Sequence, residues 1–136
     1  MKSVHVAAAE STLDEPFRVR LSGQDKSRYD YWRRIEFTPE QWAELNIHAH
    51  SRGLIFLSSA FSVAGVELLS RLDMPAWKVG SGEFRSWDLM EAMAATGRPI
   101  VLSTGMSTMA EIETAVRWLH DRNAEVLLMQ CTSAYP

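Results

Sequence analysis

From Thr38 onward, short apolar runs alternate with helix-period segments at a nearly constant interval. No other feature of the chain limits its fold as strongly. The runs are LIFLSS (54–59), AWKVG (76–80), PIVLS (99–103) and EVLLMQC (125–131), roughly 22 to 26 residues apart. Each reads as a strand, and LIFLSS in particular as a buried one. Helical segments fill the intervals. Thr38, Pro39 and Gln41 form a helix start, with Thr as N-cap, Pro in the first turn and Gln as capping-box partner. Trp42, Leu45 and Ala49 follow on one face, and Gly53 stops the helix. A second helix spans 63–72, with Val66, Leu69 and Leu72 on its apolar face. Ser86 caps a third that runs through Ala95 to a stop at Gly97, and Thr108 with Glu111 opens a fourth that ends near Arg122. Strands joined by helical crossovers imply a parallel sheet with helices outside. An open doubly wound sheet and part of a β/α barrel both fit.

The first 37 residues are less regular and read as an excursion over a surface, apart from a short helix at DYWRRIEF (30–37). A chain of 136 residues carries a soft prior of one domain. A closed eight-stranded β/α barrel takes roughly 200 residues or more. The 14 Lys and Arg against 17 Asp and Glu make a nucleic-acid partner unexpected. No apolar run approaches the roughly 20 residues that cross a bilayer. MKSVHVAAAES is a poor signal peptide, and the single Cys131 suits a reducing compartment, so a cytoplasmic location without a membrane partner is expected.

In either parallel architecture the ligand site lies at the carboxyl ends of the strands. These ends are Ser58-Ser59, Lys78 with Gly80-Ser81-Gly82-Glu83, Ser103-Thr104-Gly105, and Cys131-Thr132-Ser133 leading to Tyr135. All carry small hydroxyl residues, and one strand holds a lysine. Hydroxyls, glycine-flanked N–H groups and one cation suit an anionic, oxygen-rich ligand. Each ending alone is ordinary turn chemistry, so it is their succession that carries the argument. GSGE lacks the third glycine of a dinucleotide loop, with Arg85 in its place. His48 and His50 point to different helix faces, and His5 falls in an unplaced segment. Cys131 reads as a small packed hydrophobe ending a buried strand, and the Trp residues mostly as core.

Read in order, FLSSAFS (56–62), AWKVGSGE (76–83), GRPIVLSTGMSTMAEIETAV (97–116) and LLMQCTSAYP (127–136) resemble the sialic acid synthase family. That family makes N-acetylneuraminate and related nonulosonic acids. The resemblance implies an α/β chain of parallel β/α units forming part of a TIM (β/α)8 barrel, about its third to sixth strands. It implies a reaction in which C3 of phosphoenolpyruvate attacks the aldehyde of an N-acetylated hexosamine such as N-acetylmannosamine. Water adds at C2 and inorganic phosphate leaves. By the same resemblance, Ser59, Lys78, Ser81 and Ser103 bind phosphoenolpyruvate, and Ser133 and Tyr135 face the sugar. Lys2 echoes a second phosphoenolpyruvate lysine, although SVHV after it departs from that strand's pattern. Ala60 stands where the family has Pro, and Gln130 where His is frequent.

Other family parts have no match: the GENHNG motif with its catalytic Glu, the ligands of a divalent metal (Mn2+ or Mg2+), and a C-terminal antifreeze-like domain. The expectation is an internal piece of a homodimeric synthase, inactive on its own. Two alternatives stand beside it. One is a Schiff-base aldolase-like barrel using Lys78, and the other is a non-catalytic module that binds phosphoenolpyruvate or completes an assembly.

Overall fold

The computed structural model describes residues 3–17 and 22–134. Its strands are β1 (Ser3–Val4), β2 (Ser59–Ala60), β3 (Trp77–Val79), β4 (Ile100–Ser103) and β5 (Val126–Met129). Its helices are α1 (Ala7–Glu10), α2 (Arg28–Ile35), α3 (Pro39–Ser51), α4 (Val63–Ser70), α5 (Trp87–Ala94) and α6 (Met109–His120). All strand pairs are parallel. Ser3 lies opposite Ser59 in β1–β2, Lys78 opposite Val101 in β3–β4, and Val101 opposite Leu127 in β4–β5. The two ladders meet where the Lys78 amide donates to the Ser58 carbonyl at 3.4 Å. The spatial order is therefore the sequence order, one β/α unit after another.

The alternation of strand side chains builds two unequal faces. Trp77, Val79, Ile100 and Leu102 are buried in one core with Leu69, Met90, Met93, Ala115 and Leu119 from the outer helices. Lys78, Val101, Ser103, Leu127 and Met129 share the opposite face, which in a barrel looks inward.

Local signals set the helix starts. Thr38 accepts from the Gln41 amide, Gln41 answers from its side chain, and Pro39 sits in the first turn. Thr108 and Glu111 form the same box, as do Ser27 and Asp30 ahead of α2. Gly53 and Gly97 take positive φ, 68° and 69°, where helices end.

Several expectations need correction. The strand expected over 54–59 is laddered only at Ser59–Ala60, and Leu54 and Ile55 are exposed. Among the described residues β1 pairs only through Ser3 and Val4, which confines the ladder to Ser59 and Ala60. The irregular lead-in contains β1 itself. Along α3 the buried positions are Trp42 and Asn46, and Leu45 is exposed. Asn46 is tolerated there because its side-chain amide donates to the Asp73 carbonyl at 2.8 Å. Ser86 stands at the N-cap of α5 as expected, but its hydroxyl donates to Glu83 and makes no cap hydrogen bond. The strand expected over 125–131 shortens to Val126–Met129 and is largely exposed along one edge, because among the described residues β4 is its only neighbour. Cys131 consequently lies past the strand, half-buried rather than packed in a core.

Arg98 fastens the opposite end of the units. Its guanidinium donates to the Ser70 and Leu72 carbonyls at 2.9 and 3.0 Å and lies over the Trp77 ring. It thereby satisfies carbonyls left open at the end of α4. Arg98→Ala is expected to cost about 2 kcal/mol of stability, to be read from urea unfolding followed by circular dichroism. Unchanged stability would mean that water replaces the guanidinium without loss.

Candidate functional site

The inward face carries Lys78 to the carboxyl ends of the strands. Lys78 is paired with Val101, and Ser103 lies two residues further along the same face of β4. The lysine stem therefore reaches one step along the sheet, and Nζ donates to Ser103 Oγ at 2.5 Å and to the Val79 carbonyl at 2.6 Å. An ammonium has three N–H donors, so a third remains for a ligand. Burial pushes the Lys78 pKa below the ordinary lysine value, while the nearby Cys131 thiol acts in the opposite direction.

The neighbouring strand ends close around this lysine. Ser81 opens the one-turn helix Ser81–Glu83, and its Oγ accepts from the Gly105 amide at 3.2 Å. The Thr104 amide and hydroxyl both donate to the Met129 carbonyl at 3.1 Å. The 131–133 segment is thereby brought against Gly105. A Cβ on Gly105 would stand 2.6 Å from the Cys131 carbonyl oxygen and 2.7 Å from Ser133 Oγ. Glycine is required here by close approach, with an ordinary φ.

Lys78, Ser81, Ser103 and Ser133 thus come together through direct contacts or through Gly105. Ser59 is buried at the start of β2 and follows the residue whose carbonyl takes the Lys78 amide. Tyr135 and Lys2 lie outside the described residues. The role of Gly105 is not evident in the sequence, because its neighbour there is some 26 residues away. Its only local signal is a Gly two residues past the end of a strand. Two cavities of about 570 Å³, one bounded by Phe61, Ser62 and Arg85 and the other by His5, Trp32 and Glu83, are lined by none of Ser59, Lys78, Ser81, Ser103 and Ser133.

The model of the NeuB family matches residues 3–136. The chain belongs to the NeuB family. It is 34% identical over 124 residues to the human N-acetylneuraminate-9-phosphate synthase, covering 91% of this chain and 34% of that one. To the pseudaminic acid synthase of Helicobacter pylori it is 36% identical over 129 residues, covering 93% and 38%. The crystal structure of the N-acetylneuraminic acid synthetase of Leptospira borgpetersenii, in complex with citrate, superposes with a TM-score of 0.74 at 26% identity, over 84% of this chain and 40% of that one. The five parallel strands are accordingly a section of a β/α barrel. The chain spans about a third of the length of the curated relatives it matches.

A divalent metal implied by the family finds no complete ligand set here. Among the described residues no group of three or more His, Cys, Asp or Glu side chains is placed to hold one. The NeuB segment described here supplies instead a cation, hydroxyls and backbone donors, the chemistry of an anion site. Among the described residues no helix is long and apolar enough to cross a membrane.

Proposed function

We propose that this chain forms the phosphoenolpyruvate-binding section of a nonulosonic acid synthase. The complete enzyme joins phosphoenolpyruvate to an N-acetylated hexosamine such as N-acetylmannosamine and releases phosphate. The observation that carries this reading is the Lys78 ammonium held on Ser103 at the strand ends, with Ser81 and Gly105 tied alongside. In it, Lys78 offers its free N–H and its charge to the phosphate or carboxylate. Ser59, Ser81 and Ser103 offer hydroxyls, and Ser133 and Tyr135 face the sugar. The bound divalent metal would polarise the sugar aldehyde, and its ligands come from outside the residues described. The cytoplasm and a homodimer are the proposed setting.

Calorimetry with phosphoenolpyruvate tests the reading. Saturable binding by the folded 136-residue chain, without phosphate release when N-acetylmannosamine and Mn2+ are added, is the expected result. A folded chain that gives no heat of binding would overturn it. The exposed β5 edge, with Leu127, Leu128 and Met129 open to solvent, supports the view that further strands complete the barrel.

The lowered Lys78 pKa also favours a second reading, a Schiff-base lysine. Borohydride trapping with pyruvate separates the two. A covalent adduct on Lys78 would replace the synthase reading with the aldolase one.

A further inference from the structure

Glu10 lies in the lead-in, far in sequence from the anion site, yet its carboxylate gathers donors from two strand ends. Its side chain is 7% exposed. One oxygen accepts from the Val6 amide at 2.9 Å and from Ser62 Oγ at 3.0 Å, and the other is 2.8 Å from His5 Nδ1. The Val6 contact is ordinary helix-start chemistry, since Glu10 closes the first turn of α1. The reach to Ser62, 52 residues away, is not. Ser62 in turn caps α4 by accepting from the Gly65 amide at 3.2 Å. Its hydroxyl is thus engaged on both sides, donating to Glu10 and accepting from α4. We propose that Glu10 is a positioning residue of the anion site: by tying the end of β1 to the loop after β2, it holds Ser59 in place opposite Lys78.

The register gives Ser59 that place. In a parallel ladder an amide donates to the residue before its opposite number, as Ile100, opposite Val126, donates to Glu125. The Lys78 amide donates to Ser58, so Ser59 stands opposite Lys78. Ala60 points into the core under the outer helices, and Ser59 therefore shares the inward face with the lysine. Ser59 is only 4% exposed. A side chain so confined cannot swing toward a ligand, and its backbone must bring it there. Among the described residues β1 pairs with β2 only at Ser3–Ser59 and Val4–Ala60. Helix α4 rests on the same two strands, where a Cβ on Gly65 would meet Ala60 Cβ at 3.2 Å and Val4 Cγ1 at 3.3 Å. Glu10 locks the residue ahead of that helix to the residues just past β1, and the Phe61 ring lies on the His5 ring at 4.7 Å. Without the carboxylate, short ladders and the packing of α4 are left to hold Ser59.

This inference rests on the phosphoenolpyruvate reading above, and its test separates the two. Phosphoenolpyruvate is titrated by calorimetry into the whole chain and its variants. Glu10→Ala is expected to weaken binding about five- to tenfold, and Ser59→Ala by a similar factor, roughly one hydrogen bond to an anion. With Ser59 already replaced by Ala, Glu10→Ala is expected to cost less than about twofold, because nothing is left for it to position. A general loosening of the fold would instead lower affinity equally in both backgrounds. Glu10→Gln keeps an accepting oxygen for Val6 and Ser62 and offers an N–H to His5 Nδ1, so it is expected to recover most of the loss. Equal losses in the two backgrounds, no loss in Glu10→Ala, or no recovery in Glu10→Gln overturns the inference. So does full affinity in Ser59→Ala, which leaves the Lys78 reading standing. A wild-type chain that binds no phosphoenolpyruvate ends both. Should Glu10→Ala fail to fold by circular dichroism, hydrogen exchange in the wild-type chain decides. A clamp that strengthens ligand binding is itself strengthened by the ligand to the same factor, so phosphoenolpyruvate is expected to slow exchange of the Val6 amide about five- to tenfold. Val6 exchange unmoved by the ligand overturns the inference.

Discussion

Lys78→Met is expected to weaken phosphoenolpyruvate binding by about ten- to a hundredfold. Methionine keeps most of the stem that lies on the inward face and removes only the charged donor, so the loss reports the ammonium rather than the packing. Nζ already spends two donors, on Val79 and Ser103. Its charge and its third N–H are what an anion would gain. Lys78→Arg should not restore the affinity. A planar guanidinium fork cannot reproduce a point charge seated between a carbonyl and a hydroxyl on adjacent strands.

The same lysine predicts two pH dependences of opposite sign. Burial lowers its pKa below the ordinary 10.5. Only the ammonium attracts the anion, so affinity should fall as pH rises through the lowered value. Stability should move the other way. Between the folded value and 10.5 the unfolded chain binds more protons than the folded one, so this residue's contribution to stability rises with pH there. Calorimetry across alkaline pH, paired with urea unfolding, reads both. Lys78→Met should flatten the affinity profile. A profile unchanged in that variant would mean that another group titrates.

What the sequence made legible is what neighbours along the chain decide. Thr38–Gln41 and Thr108–Glu111 satisfy each other within one turn, and both helices begin where the pattern places them. The strand-end serines around Lys78 follow from the β/α alternation alone, since strand direction fixes which end carries the site. What stayed hidden depends on partners distant in sequence. LIFLSS has the composition of a strand, but a strand needs a ladder, and β1 offers two residues. Among the described residues β5 has β4 on one side only, so its apolar residues stay in solvent. Asn46 looks like a surface residue until the Asp73 carbonyl is found beneath it. The His5–Glu10–Ser62 network joins segments about 50 residues apart, with the Trp32 ring stacked on His5, and no spacing rule announces it.

Gly105→Ala should impair phosphoenolpyruvate binding far more than it impairs the fold. The added methyl would lie 2.6 Å from the Cys131 carbonyl oxygen and 2.9 Å from Cys131 Cβ, too close for either to remain. Two responses are open to the chain. It can move Gly105 away, which breaks the hydrogen bond to Ser81 Oγ. Or it can move the 131–133 segment, which carries Ser133 away from the site. The second costs less, because β5 is an edge strand with few neighbours to resist. Overpacking in a closed core costs about 1–3 kcal/mol, and a site backed by an open edge should fall at the low end of that range. The first response separates Ser81 from the loop after Ser103, and the second removes the segment that packs against that loop. A loss of about tenfold or more in affinity, roughly one charge-assisted hydrogen bond, is therefore expected beside a small shift in the urea midpoint. Full affinity in Gly105→Ala would show that the packing of the 131–133 segment on Gly105 does not shape the phosphoenolpyruvate site. A large loss of stability would show that Gly105 holds the sheet together rather than shaping its mouth.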